Sequence, residues 1–216
     1  MSVIRVGGIR FYPNELRDLA IAWGALGIAF SVFIFVSTGR SVFPDITGAL
    51  LSPLFGRVLA VSLLTVGVGF LLHELAHKIV AVQFGQIASF KADYKMLALC
   101  IGAAFAGFLF AAPGAVYHRG RITPKQQGLV SVAGPLTNVL LVAVFLPLAF
   151  FSGFLRDVGQ LGVLVNAFLA AFNMLPFGPL DGKTVLSWSR LVFAAVFAVS
   201  AVLVVGSLVF VGFPAF

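Results

Sequence analysis

The hydrophobic positions of this chain fall in long unbroken runs, not at the spacing of a half-buried helix or strand. Five runs, roughly 18–37, 55–83, 128–151, 158–180 and 190–212, reach the about 20 apolar residues a helix needs to cross a hydrocarbon core. A sixth, 96–113, has 18 residues, with Gly102 and Gly107 inside it and Pro113-Gly114 closing it. The pattern predicts an all-α polytopic membrane protein of about five to six transmembrane helices. The insert near 96–113 is expected to be re-entrant or a β-hairpin. Turn-forming residues punctuate the runs: Pro44 and Pro53, the stretch 112–118, Gly134-Pro135, and Pro176 and Pro179 near the end of the fourth run. Each proline removes a backbone donor, and unpaired backbone at membrane depth survives only where protein or a wet cavity satisfies it. Residues 173–182 are therefore expected to be unwound and to line a cavity.

Composition supports this reading. The chain of 216 residues is 61% hydrophobic and 10% charged, against about 25% charged for a soluble domain, so lipid must serve as its solvent. We read 1–216 as one integral membrane domain with its core at about 55–185, located in the cell membrane. The net charge of +7 comes from Lys and Arg set between the apolar runs, as basic loops of membrane proteins are; it does not indicate a nucleic-acid partner. The same residues orient the chain. If 96–113 does not cross and the N-terminus is inside, ten Lys and Arg lie on the inner side and three (Arg40, Arg57 and Arg156) on the outer. If 96–113 crosses, the split is six against seven. Inner loops carry the positive excess, so the first arrangement is expected, with Lys91 and Lys125 both cytoplasmic. The first run is longer than a signal peptide's apolar stretch and is taken as a retained span. A single cysteine, Cys100, rules out an internal disulfide.

Chemistry enters at His73-Glu74-Leu75-Ala76-His77, inside the second run. On a helix, positions i and i+4 share a face about 6 Å apart along the axis, so two imidazoles can bind one Zn²⁺. Glu74 lies about 100° round the helix from His73, placed to serve as general base toward a zinc-activated water without being a ligand. An ionisable group at the bilayer centre costs about 2.5–3.5 kcal/mol. Four in six positions (His73, Glu74, His77 and Lys78) outweigh a chance match. A catalytic zinc site needs a third protein ligand and an open position. Downstream of His77 there is no glutamate, and the candidates are Asp93, His118, Asp157 and Asp181. Asp93, His118 and Asp157 fall in expected loops, where a solvated side chain is the ordinary outcome. Asp181 follows the proline-broken stretch.

His73-Glu74-x-x-His77 together with Asn173-x-x-Pro176-x-x-Pro179-Leu180-Asp181-Gly182 closely resembles the site-2 protease family of intramembrane zinc metalloproteases (peptidase family M50). Ala133-Gly134-Pro135-Leu136-x-Asn138 is similar to that family as well. The resemblance covers about residues 55–185. It implies one zinc held by His73, His77 and Asp181, with Glu74 activating water and Asn173 holding the substrate backbone or the developing oxyanion. The implied activity is intramembrane metalloendopeptidase, with a membrane-spanning protein substrate and the lipid bilayer as partners. A helical substrate must unwind before its carbonyls are accessible, and an unpaired strand edge in the insert 96–113 is expected to hold it by backbone pairing. Two other classes compete. A metal-binding membrane transporter repeats polar groups along a path, whereas here they gather at one level. A non-catalytic binding protein has no need of an intact His-Glu-His set.

Overall fold

The computed structural model describes residues 3–39, 45–109 and 113–216. Arg40, Pro44 and positions 110–112 of the insert lie outside the described residues. Five apolar helical units long enough to cross a membrane occur among the described residues, at Pro13–Ser37, Pro53–Gln83, Pro124–Phe150, Gly153–Asn173 and Arg190–Val211. The chain is an integral membrane protein, and its apolar exterior is the face such a protein offers to lipid. The first unit is helix α1, Pro13–Ser37. After the short α2, Ile46–Leu50, the second unit comprises α3 (Pro53–Ser62), a π-helical turn (Leu63–Gly67) and α4 (Val68–Gln83).

The starts of the units follow sequence chemistry. Ser52 accepts the Phe55 amide ahead of Pro53. Thr123 and Gln126 form a capping box around Pro124, satisfying amides that a helix leaves orphaned at its first turn. The third unit is α6 (Pro124–Phe145) running into a 3₁₀ turn at Leu146–Phe150. The fourth, α7, covers Gly153–Asn173. It stops seven residues short of the expected 180, because Pro176 and Pro179 cannot continue it. The non-helical stretch is 174–180: Asn173 still closes α7, and Asp181 already opens α8, Asp181–Trp188. Helix α9, Arg190–Gly206, ends the chain with a π turn at Ser207–Val211, and of α9 only Ser200 is fully buried.

The main core gathers Leu26, Val32 and Ile34 of α1, Val58 and Val61 of α3, and Leu161 of α7. The π turn lies against α1. The Trp23 indole donates to Leu63 O at 3.0 Å, and a side chain at Gly67 would strike the same indole. Such a bulge widens a helix and frees a carbonyl; here Trp23 takes up that carbonyl, nearly three turns before His73.

Two small antiparallel strand pairs complete the structure of the described residues. Strands β1 (Ile4–Val6) and β2 (Ile9–Phe11) pair ahead of α1. Strands β3 (Ile87–Ala92) and β4 (Gly114–Arg119) pair antiparallel, with Ile87 opposite Arg119 and Ala92 opposite Gly114. Between them lies α5, Tyr94–Phe105. Its 12 residues span about 18 Å, short of the about 30 Å of a hydrocarbon core. The paired strands return the chain to the level at which it left. The insert thus does not cross as a helix. The expected hairpin flanks 96–113 instead of lying within it: the described part of 96–113 holds most of α5 and the turn after it, and the free strand edge belongs to β4.

Candidate metal centre

α4 carries His73 and His77 on one face, against α6. Their Nε2 atoms lie 3.0 Å apart, and Asp181 Oδ2, at the first position of α8, is 3.3 Å from each. These three residues form the group able to hold a metal ion among the described residues. Asp93, His118 and Asp157 are not part of it. Asp93 caps α5, accepting the Lys95 and Met96 amides. His118 sits on β4 opposite Ala88. Asp157, expected in a solvated loop, is instead buried at the start of α7 and paired with Arg57 of α3 at 2.6 Å.

The proton positions decide what the group can hold. His77 Nδ1 lies 2.8 Å from Val130 O. A carbonyl only accepts, so Nδ1 carries a proton, and in the neutral ring Nε2 presents a lone pair. His73 Nδ1 lies 2.6 Å from Asn138 Oδ1. The Asn138 amide nitrogen is engaged as donor to Gly69 O and Asn166 Oδ1, so its oxygen faces His73, and His73 Nε2 is likewise a lone pair. With both rings neutral, two imine nitrogens and a carboxylate oxygen converge, a mutual repulsion that a cation resolves. Ligand atoms about 2.0–2.1 Å from a tetrahedral zinc are about 3.3 Å apart, close to the 3.0–3.3 Å separations here. The residues fit a divalent zinc ion.

The surrounding backbone is shaped to this cluster. A Cβ at Gly134 of α6 would lie 2.5 Å from His77 Nε2 and 2.6 Å from His73 Nε2, so only glycine lets α6 approach the metal face. At Gly182 a side chain would collide with the Met174 carbonyl; the glycine lets α8 start against the end of α7 and so seats Asp181. Glu74, buried beside the cluster, accepts the Val116 amide of β4 through Oε2 at 3.1 Å. The β3–β4 register makes Gly114, Val116 and His118 the positions whose backbone groups point away from β3, so the outer edge of β4 faces Glu74. The opposite edge of the hairpin is occupied: Glu15 accepts the Phe90 amide and Asp18 the Ala92 amide.

This chain is 39% identical over 193 residues to "Putative zinc metalloprotease MJ0611" of Methanocaldococcus jannaschii, covering 87% of this chain and 91% of that protein. It is 34% identical over 144 residues to "Putative zinc metalloprotease YwhC" of Bacillus subtilis, covering 57% of this chain and 66% of that one. The chain belongs to this zinc metalloprotease family. No family model matches it, and no solved structure does.

Several buried polar residues of this protease carry no clear mark in its sequence. Lys78, the fourth ionisable group of the motif, turns away from the metal face. It is fully buried and paired with Glu15, also donates to Arg10 O at 2.8 Å, and lies 4.0 Å from the centre of the Phe11 ring. No spacing signal joins positions 15 and 78, and Glu15 lies ahead of the first apolar run. Asn166, buried in α7, was also unseen. Asn173 is half-buried at the end of α7, with its Nδ2 donating to Leu169 O at 3.0 Å. Beyond it, residues 178–180 border a cavity of about 450 Å³, also lined by Gln127, Lys183 and Thr184.

Proposed function

We propose that this protein is an intramembrane zinc metalloendopeptidase of the site-2 protease type, acting on membrane-spanning protein substrates in the cell membrane. The observation that carries the reading is the convergence of His73 Nε2, His77 Nε2 and Asp181 Oδ2 beside a buried Glu74, inside a bundle of apolar helices. His73, His77 and Asp181 hold the zinc. Zinc bound there supplies Lewis-acid polarisation of a carbonyl and a water acidified towards neutral pH. Glu74 is the general base: with Oε2 held by the Val116 amide, Oε1 takes the proton from water and later returns it to the leaving amine. The substrate unwinds and lies along the outer edge of β4, its backbone pairing with Gly114 and His118 on either side of Val116. Asn173 turns its amide from Leu169 O toward the substrate backbone or the oxyanion. Water enters and the cytosolic product leaves by the cavity beside 178–180.

A metal transporter is less well supported, since the metal-holding group sits at one level and carries a base that transport does not require. The deciding experiment incubates the purified protein with a membrane-helix substrate in lipid. Cleavage that is lost on chelation and restored by zinc supports the reading. Metal binding without cleavage of any membrane helix, together with zinc flux into sealed vesicles, overturns it in favour of transport.

A further inference from the structure

Asn166 lies within α7, a helix that contributes no member of the metal-holding group, and it is fully buried. Its Nδ2 donates to Gly162 O at 2.8 Å, which turns its Oδ1 toward α6, where it accepts Asn138 Nδ2 at 2.8 Å. Asn138 Nδ2 also reaches Gly69 O at 3.3 Å. With both of its protons given to these acceptors, Asn138 offers His73 only its oxygen, at 2.6 Å. α4 closes over the arrangement at Gly69, where a Cβ would fall 2.6 Å from Asn166 Oδ1.

We infer that Asn166 is a positioning residue that determines which nitrogen of His73 carries the proton. Reversing the Asn138 amide exposes the reason. Its oxygen would then face two acceptors, Gly69 O and Asn166 Oδ1, and its NH₂ would face His73 Nδ1. His73 would have to move its proton to Nε2, the atom aimed at the metal. Asn166 opposes that reversal; without it only the longer contact to Gly69 O remains. A buried polar group left without its partner is costly, so a relay of two carboxamides in an apolar bundle holds its direction firmly. The fourth span thereby sets the ligand state of a residue on the second. A purely structural Asn166 would tie helices together and leave the His73 proton where it was.

The effect on zinc rests on the proposed metal site, but the proton position can be read without metal. The experiment uses the full chain as wild type, Asn166→Leu and Asn166→Asp. It records ¹⁵N NMR of labelled histidine in the metal-free protein, and zinc affinity by chelator competition. A buried Asp stays protonated, so its carbonyl oxygen replaces Oδ1 and its O–H replaces the donor to Gly162 O. Wild type and Asn166→Asp are expected to hold His73 as Nδ1–H, with similar zinc affinity. Asn166→Leu is expected to populate Nε2–H and to weaken zinc binding by about 10–100-fold, the usual effect of losing an outer partner. A folded Asn166→Leu protein with His73 still Nδ1–H and wild-type zinc affinity overturns the inference. So does Nε2–H at His73 in the wild type or in a folded Asn166→Asp protein. Wild type that shows Nδ1–H yet binds no zinc supports the relay while removing the metalloprotease reading.

Discussion

Glu74 is tied to the edge of β4 through one oxygen, with Oε2 accepting the Val116 amide at 3.1 Å. A Gln at this position can still accept that amide through its carbonyl but cannot take up a proton. Glu74→Gln should therefore keep the fold and the zinc while hydrolysis falls by about 10²-fold or more. Zinc content per chain and turnover of a membrane-helix substrate measure the two separately. Near-normal turnover would remove Glu74 from its role.

Asp181 approaches both imidazoles at 3.3 Å, and its loss should leave two neutral ligands. Asp181→Ala should weaken zinc binding by more than the about 10–100-fold typical of an outer partner, with activity lost in parallel. Chelator competition gives the affinity. Full zinc and full activity in this variant would place the third ligand elsewhere.

Gly134 faces the metal nitrogens with no room for a methyl group. Gly134→Ala should push α6 off α4 or rotate the imidazoles, lowering zinc affinity, although alanine favours a helix over glycine by about 1 kcal/mol. Wild-type zinc affinity in the alanine variant would show that the approach of α6 is slack.

Lys78 and Glu15 are fully buried partners joining α4 to the start of α1. Lys78→Met strands the Glu15 carboxylate and should destabilise the protein by about 3–5 kcal/mol. Adding Glu15→Gln removes the stranded charge while keeping an acceptor for the Phe90 amide, so the double variant should recover part of the loss. Unfolding in a fixed detergent tests the order; a double variant less stable than Lys78→Met alone would contradict it.

The β3–β4 pairing brings both ends of the insert to one level. Single cysteines near Lys91 and Lys125, in a background lacking the buried Cys100, should then react alike with an impermeant thiol reagent applied to intact cells. Labelling at one position only would show that the insert crosses the membrane.

The sequence by itself determined the helical spans and the metal face, because both follow from short-range rules. An apolar run of about 20 residues has few structural options in lipid, and two histidines four apart on a helix share a face whatever surrounds them. The proline-broken stretch before Asp181 marked an end of helix for the same local reason. Tertiary structure alone decided the rest. It brought Asp181, which the motif had already singled out, within 3.3 Å of both histidines, buried Asp157 against Arg57 and Lys78 against Glu15, and put the free edge on β4 instead of in 96–113. It also joined Asn166 through Asn138 to His73. These contacts join residues 22 to 108 positions apart. A side chain's partner at that distance is set by which helices pack together, and no periodicity along the chain encodes it.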